Sequence, residues 1–323
     1  MRHLRLAPDT TRIDFMRYTR IWLVISALGV LGSIGLLLTR GLNLGVDFQG
    51  GTLIMAATPE VEEVGSFREV LTALDFGEVN VTEVSDDSGE GRNLVLMRLG
   101  IAGDDPDAQG AVIEAIRAEL TRAFPGVEFL QVDSVGAKVS SELVRDGVLA
   151  LVLSFAGILF YVWLRFEWQF ALGSVLSLMH DAVVTVGLFS LLQLEFNLTI
   201  VAAVLTVIGY SINDTVVVFD RMRENLRKFK KAPLQDVLNL SLNETLSRTI
   251  MTSMTTLIAL LAIYFFGGDV VSGFALAMIV GGVICGTYSS IYVAGATVLW
   301  LGVKRDWTKP DSAPGTQFGD VRA

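Results

Sequence analysis

Six long stretches of this chain carry almost no charge, and a chain so built has to cross a membrane. Residues 21–39 are uncharged and bracketed by Arg20 and Arg40. At 1.5 Å per residue a helix of that length just covers a hydrocarbon core of about 30 Å. Further spans are read at 146–164, at 168–192 with His180 and Asp181 near its middle, at 196–219 with Asp214 inside it, at 247–267 and at 272–303. The last apolar run exceeds what one crossing needs, so it must tilt, break near its glycines or lie partly along the interface. The first span is read as a retained anchor: its core is longer than that of a secretory signal, and Leu38-Thr39-Arg40 offers no small-x-small cleavage site.

Basic residues set the expected orientation. They gather in residues 1–20, in the loop 221–246 and at the start of the tail 304–323, whereas the connections at 193–197 and 267–269 hold no Lys or Arg. Six spans with both termini cytoplasmic satisfy all of these. Within the basic loop, Leu234, Val237, Leu238, Leu242 and Leu246 repeat at helical spacing, which suits an amphipathic helix on the cytoplasmic face.

The net charge of −9 is unevenly spread: residues 41–142 hold 19 Asp and Glu against 6 Lys and Arg, so the rest of the chain sums to +4. That split reflects two solvents; it does not call for an acidic ligand, and no nucleic-acid partner is expected. One cysteine, Cys285, and two histidines, His3 and His180, give no disulfide framework and no basis for a metal site. No cofactor is expected.

Residues 41–142 are expected to fold as a periplasmic α+β domain between the first two spans. Strands are read at 52–58, 79–84, 94–99 and 127–132, helices at 62–74 and 105–124, and a hairpin tip at 86–92. The order βαββαβ is that of the ferredoxin-like fold. No nucleophile–base pairing and no phosphate-binding glycine loop occurs in it, so the expectation is a binding or coupling domain and not an enzyme.

Ionisable residues inside spans are expensive and mark a pathway or a pairing. Asp214 follows Gly209-Tyr210-Ser211-Ile212-Asn213, and Arg248 stands near the same end of the next span. Arg248, Thr252, Thr255 and Thr256 share one helical face. Asp214 and Arg248 form either a static ion pair or a proton relay, an acid tuned by burial and an always-charged guanidinium. His180, Asp181, Asn213 and Thr252 either join such a relay or pack. Asp220 and Arg221 are read as interfacial anchors, and Glu195 as solvated. Gly282 and Gly286 make a GxxxG pair for close helix packing.

These motifs resemble the SecD/SecF family of protein-translocase subunits, which is allied to the resistance-nodulation-division transporters. The resemblance rests on Gly45-Val46-Asp47-Phe48-Gln49-Gly50-Gly51, His180-Asp181, the block from Gly209 through Asp214-Thr215 to Phe219-Asp220-Arg221-Met222-Arg223-Glu224-Asn225, Ser247-Arg248-Thr249, Thr252-Ser253 and Ser289-Ser290-Ile291-Tyr292. It spans nearly the whole chain. One departure is Ala137, where the family usually has proline, and a more flexible junction is expected there. The resemblance implies a polytopic subunit of the bacterial inner membrane. Such a subunit works with SecD beside the Sec channel, using the proton gradient to draw preproteins outward. It also implies that Asp214 and Arg248 serve proton transport, that SecD supplies a further acid, and that Asp47, Gly50, Gly51 and Gly209 are motif residues. The other reading is half of a proton-driven small-molecule exporter of the resistance-nodulation-division type. Such chains usually hold two six-span halves, so a single half again implies a partner.

Overall fold

The computed structural model describes residues 11–59, 62–74, 76, 79–84, 93–100 and 106–303. The expected hairpin tip at 86–92 and the tail 304–323 lie outside the described residues. Among those described, six helices are long and apolar enough to cross a membrane. They are α1 (Thr19–Thr39), α5 (Ala137–Arg165), α6 (Trp168–Leu192), α7 (Leu198–Lys228), α8 (Leu234–Phe266) and a composite sixth span (Val271–Leu301).

Between α1 and α5 lie β1 (Asn43–Leu44), a single helical turn α2 (Val46–Gln49), β2 (Gly51–Thr58), α3 (Val64–Thr72), β3 (Val79–Val84), β4 (Asn93–Leu99), α4 (Pro106–Ala123) and β5 (Glu128–Val135). β2 to β5 form an antiparallel sheet in the order β3-β4-β2-β5. The two strands that open and close the βαββαβ unit are thus neighbours, which is the ferredoxin-like arrangement. Alternation along the strands turns Ile54, Ala56, Val95, Met97 and Leu99 toward Phe67, Leu71, Ile116, Leu120 and Phe124 of α3 and α4 and the turn after it. Phe67 and Phe124 stack with centroids 4.1 Å apart. The opposite sheet face, with Leu53, Met55 and Asp133, borders a cavity of about 380 Å³ reaching Phe189, Asn197 and Tyr264 at the ends of the spans.

Two glycines make the passage from α1 into the sheet possible. Gly50 (φ 73°) and Gly51 (φ 114°) both adopt backbone that L-residues avoid, and a Cβ at Gly51 would collide with the Leu99 carbonyl. Just before them, β1 pairs in parallel with β6 (Glu195–Phe196), the short strand joining α6 to α7. Arg98 of β4 ties this clamp. Its guanidinium pairs with Glu195 at 3.0 Å and donates to Asn43 Oδ1 and the Leu44 carbonyl, each at 3.3 Å. Glu195 is therefore not a solvated loop residue; the clamp gives its carboxylate a fixed cation.

The opposite end of the bundle also departs from expectation. Residues 234–246 are not a separate surface helix. They are the start of α8, and their apolar face meets α7 instead of lipid: Val237, Leu238 and Leu242 pack with Phe219, Met222 and Leu226. Only residues 229–233 separate the two helices, with Pro233 at the N-cap, where its missing N–H is harmless. Asp220 pairs with Arg165 at 2.8 Å, and Arg221 with Glu224 and Glu244 at 2.6 and 2.7 Å. Glu167, the N-cap of α6, is partly buried here. Burial pushes its carboxyl up, and the charges of Arg223 and Arg227 oppose that. At the other junction, α5 starts at Ala137 and runs unbroken through the span, so no hinge separates β5 from the membrane helix beyond Gly136.

The sixth span runs on without a break at its glycines. α9 (Asp269–Ala277) runs into a π-helical segment (Met278–Cys285), one α-turn α10 (Gly286–Ser289), a second π segment (Ser290–Ala294) and α11 (Gly295–Leu301). Widened turns move the close-packing pair. A Cβ at Gly281 would overlap the Thr185 hydroxyl and press on Val207, and one at Gly286 would come within 3.2 Å of Ser211, whereas Gly282 meets only ordinary contacts. The pair that admits α6 and α7 is Gly281 and Gly286, five apart, and not the Gly282 and Gly286 pair read from α-helical spacing.

Candidate functional site

α6, α7 and the sixth span meet along a polar seam at the level of two acids. Asp181, near the middle of α6, is fully buried. Its Oδ2 accepts from Ser211 of α7 at 2.6 Å and from Ser289 of α10 at 2.8 Å, and its Oδ1 lies 2.9 Å from His180 Nδ1. Ser177, one turn earlier on α6, donates to Ser289 at 2.9 Å. His180 Nε2 stands 2.5 Å from the Tyr288 hydroxyl. The ring thus bridges Asp181 and the Tyr288 hydroxyl, one nitrogen to each.

Asp214 lies one helical turn beyond Ser211. Its Oδ1 accepts from Thr249 of α8 at 2.7 Å and its Oδ2 from Ser290 at 3.2 Å. Ser289 and Ser290 are consecutive at the junction of α10 and the second π segment, so adjacent hydroxyls serve the two acids. Beside Asp214 lies a polar cavity of about 20 Å³ whose lining includes Ser211, Asn213, Asp214, Thr252, Ser253 and Thr287.

The structure brings Asp181 and His180 into this seam and leaves Arg248 outside direct contact. Arg248 is exposed on α8, and among the described residues no ion pair joins it to Asp214; its charge acts on Asp214 at longer range. Of the face read from Arg248, Thr252, Thr255 and Thr256, Arg248 and Thr255 point outward, Thr252 borders the cavity and Thr256 accepts from the Tyr210 hydroxyl; the neighbouring Thr249, about 100° round the helix from Arg248, is what reaches the acid. Asn213 is exposed, on a face of α7 shared with Thr206 and Gly209, and it also borders the cavity beside Asp214. Sequence reasoning missed Thr249, Ser211, Ser289, Ser290 and Tyr288 as partners. Hydroxyls repeated in an otherwise apolar span were the available signal, since each needs an acceptor away from water.

Asp47 works at the far end of α7. Its Oδ2 accepts from the Leu198 amide at 2.9 Å, capping the helix that carries Ser211 and Asp214. The glycine-flanked segment after α1 is thereby joined to the helix of the acids. Gly209 faces open space.

The description Protein export membrane protein SecD/SecF, C-terminal, matches residues 115–304, and the SecD/SecF GG Motif matches residues 35–54. The chain is 49% identical over 321 residues to a protein named Protein translocase subunit SecF from Cereibacter sphaeroides, with 99% of each chain covered. It is 40% identical to one of the same name from Rickettsia bellii, covering 95% of this chain and 98% of that one. A Brucella abortus protein named SecDF is 42% identical over 304 residues, which are 94% of this chain and 39% of that one. Among solved structures, SecDF from Thermus thermophilus, described as a translocon-associated membrane protein, superimposes with a TM-score of 0.80 at 35% identity over 92% of this chain. A SecDF in a super-membrane-facing form gives 0.65 at 37% identity over 90%. This chain spans about two-fifths of the length of each solved SecDF. Matched along almost its whole length by relatives of one name, and by both sequence descriptions, the chain belongs to the SecD/SecF family of protein-export membrane proteins.

Proposed function

We propose that this chain is an accessory subunit of the bacterial Sec preprotein translocase, which with SecD couples the proton gradient to export across the inner membrane. The observation that carries this reading is the setting of Asp214. It is a carboxylate deep within a span, held by two hydroxyls and without a contacting cation among the described residues. A static structural acid would be expected to have its charge matched by an ion pair; one held only by neutral donors can take up and release a proton.

Partnership with SecD is supported by a face the single chain leaves open. Ala202, Thr206, Gly209 and Asn213 of α7 follow one helical stripe, and all are exposed beside exposed Arg248 and Thr252 of α8. Hydrocarbon is a poor solvent for Asn and Arg, whereas a partner helix carrying an acid would satisfy both. The Brucella relative, in which an SecF-like stretch is part of a longer SecDF chain, is consistent with that pairing.

The basic residues Arg165, Arg221, Arg223, Arg227 and Lys228 crowd the end of the bundle opposite the α+β domain. That supports cytoplasmic termini and a periplasmic domain. The domain clamps onto β6 and caps α7 through Asp47, so a change at Asp214 has a rigid path outward to a surface that can meet a preprotein. One proton moving through 100 mV releases about 2.3 kcal/mol, enough to shift a two-state equilibrium more than tenfold.

The test is Asp214→Asn, co-expressed with SecD, following export of a secreted protein with and without the gradient. The substitution keeps size and removes titration. Loss of the gradient-dependent component at normal levels of both subunits is expected. Unchanged gradient dependence would make Asp214 a packing residue and end the motor reading.

A further inference from the structure

Asp181 is the one group in the polar seam for which proton coupling through Asp214 alone leaves no task. It is more deeply buried than Asp214 and is held by Ser211, Ser289 and His180. The titratable groups about it are His180 on its own helix and Tyr288 and Cys285 from the sixth span; on α7, Asp214 stands three residues beyond the Ser211 that donates to it. α1 brings no ionisable side chain between Arg20 and Arg40. From α8 the available cation is Arg248, which faces outward.

Two carboxylates linked through the Ser211 hydroxyl and the cavity beside it, in a low-dielectric seam, disfavour double ionisation. Two features join them. Ser211 is hydrogen-bonded to Asp181 and sits three residues before Asp214, on the same face of α7. The 20 Å³ cavity borders both Ser211 and Asp214; its size suits about one water, and its hydroxyl lining supplies the polar partners a buried water requires.

We propose that Asp181 and Asp214 form one coupled proton site, the pair holding a single proton that moves between them through Ser211 and one water. The inference rests on the reading that Asp214 carries protons. In the transfer, the Asp214 O–H bond breaks as its proton passes to the water, and the water gives a proton to Ser211 Oγ. The Ser211 hydroxyl proton then passes to Asp181 Oδ2. Three O–H bonds break and three form, the water and the serine are regenerated with reversed orientation, and the negative charge moves from Asp181 to Asp214. His180 takes no part in the transfer, orienting Asp181 from one side while Tyr288 holds the other edge of its ring. Since Ser289 and Ser290 donate one to each acid, the charge shift also changes which end of this Ser-Ser step is held more strongly, between the two π segments of the sixth span.

The experiment uses the chain assembled with SecD in proteoliposomes, with two readouts on the wild type, D181N, D214N, S211A and S211T. The first is the infrared carboxyl band followed through a pH titration. The second is gradient-driven export as a function of pH. In the wild type the pair should titrate in two separated steps. D181N should leave one step, with the Asp214 midpoint displaced by about one pH unit or more, and should reduce gradient-driven export about tenfold. S211A should keep both carboxyl steps and still slow gradient-driven export, with S211T restoring it; a packing defect would not give that pattern. If Asp214 titrates identically in D181N and in the wild type, Asp181 is no part of the site and the proposal is overturned, while loss of export in D214N leaves the single-acid motor intact. If D214N exports normally, the motor reading fails, and the infrared steps still decide whether the two acids are coupled. Should D181N fail to assemble, S211A indistinguishable from the wild type in both readouts overturns the proposal by itself.

Discussion

α5 and α8 lie on the outside of the same bundle, yet they are different kinds of surface. In the most apolar stretch of α5 only 6% of residues are buried, and its exposed side chains include Val148, Val152, Leu153, Phe160 and Leu164. α8 is almost as unburied, at 11%, but its mean hydropathy of 1.8 matches that of α6 and the sixth span, which are buried to 50% and 44%. A helix with the composition of an interior span and the exposure of an outer one has a face that water and lipid both suit poorly. α5 presents a surface of large apolar side chains that suits lipid. On the proposed pairing with SecD, α8 and the small-residue stripe of α7 beside it are the face a partner helix would cover.

The sharpest way to break this contrast is to place the same side chain inside and outside. Gly281→Leu drives a branched chain into Thr185 and Val207. Overpacking of this kind costs about 3 kcal/mol, and we expect loss of the folded subunit from membranes. Gly157→Leu on α5 meets no atom within 4 Å of its Cβ, so its stability should stay within about 0.5 kcal/mol of the parent. Thermal unfolding of the two variants in detergent gives the comparison. Equal losses would mean that the seam between α6, α7 and the sixth span is looser than its contacts imply.

A smaller effect separates lipid-facing from partner-facing surface. Gly209→Trp projects into open space on α7, and Leu153→Trp does the same on α5. Both subunits should fold with unchanged midpoints. Only Gly209→Trp should lose co-isolated SecD, by about tenfold or more, the equivalent of 1.4 kcal/mol. Equal recovery from the two variants would place the partner elsewhere and leave α8 without an explanation for its composition.

The legible and illegible parts of this molecule divide by the range of the interactions that set them. The span over α6 and the order of strands in the α+β domain could be read because hydropathy and period-two alternation are local signals. Which hydroxyl meets Asp214 was not legible. The choice between Arg248 and Thr249 is a rotation of one residue on α8, fixed by how α7 and α8 cross, and no local pattern encodes that angle. The Gly281 and Gly286 pair was hidden for a related reason: a π segment changes the repeat by which residues share a face. The start of α8 was misread as a surface helix because an apolar face does not say whether lipid or protein covers it. The mutual hydrogen bonds of Asn243 with Ile13, at 2.8 Å each, lie 230 residues apart and had no local signature.

The finest contrast lies within α7, whose two ends are secured in different currencies. Its basic end packs on α8 through Phe219, Met222 and Leu226, whereas its domain end is held by the short β1–β6 clamp, its own Asn197 cap and the Asp47 cap. Asp47→Ala removes one acceptor from the first turn and should lower stability by about 1 kcal/mol, the usual weight of a helix cap. Asn197 still accepts from Ile200 at 3.2 Å, so the helix should not unwind. The expected signature is local: faster amide exchange at Leu198 and across the β1–β6 clamp, with exchange around Thr215 and Phe219 unchanged. If faster exchange spreads as far as Ser211 and Asp214, the cap does more than hold a helix end. The glycine-flanked segment would then set the geometry of the acids from one end of the span, and the α+β domain and the proton seam would respond to force as a single unit.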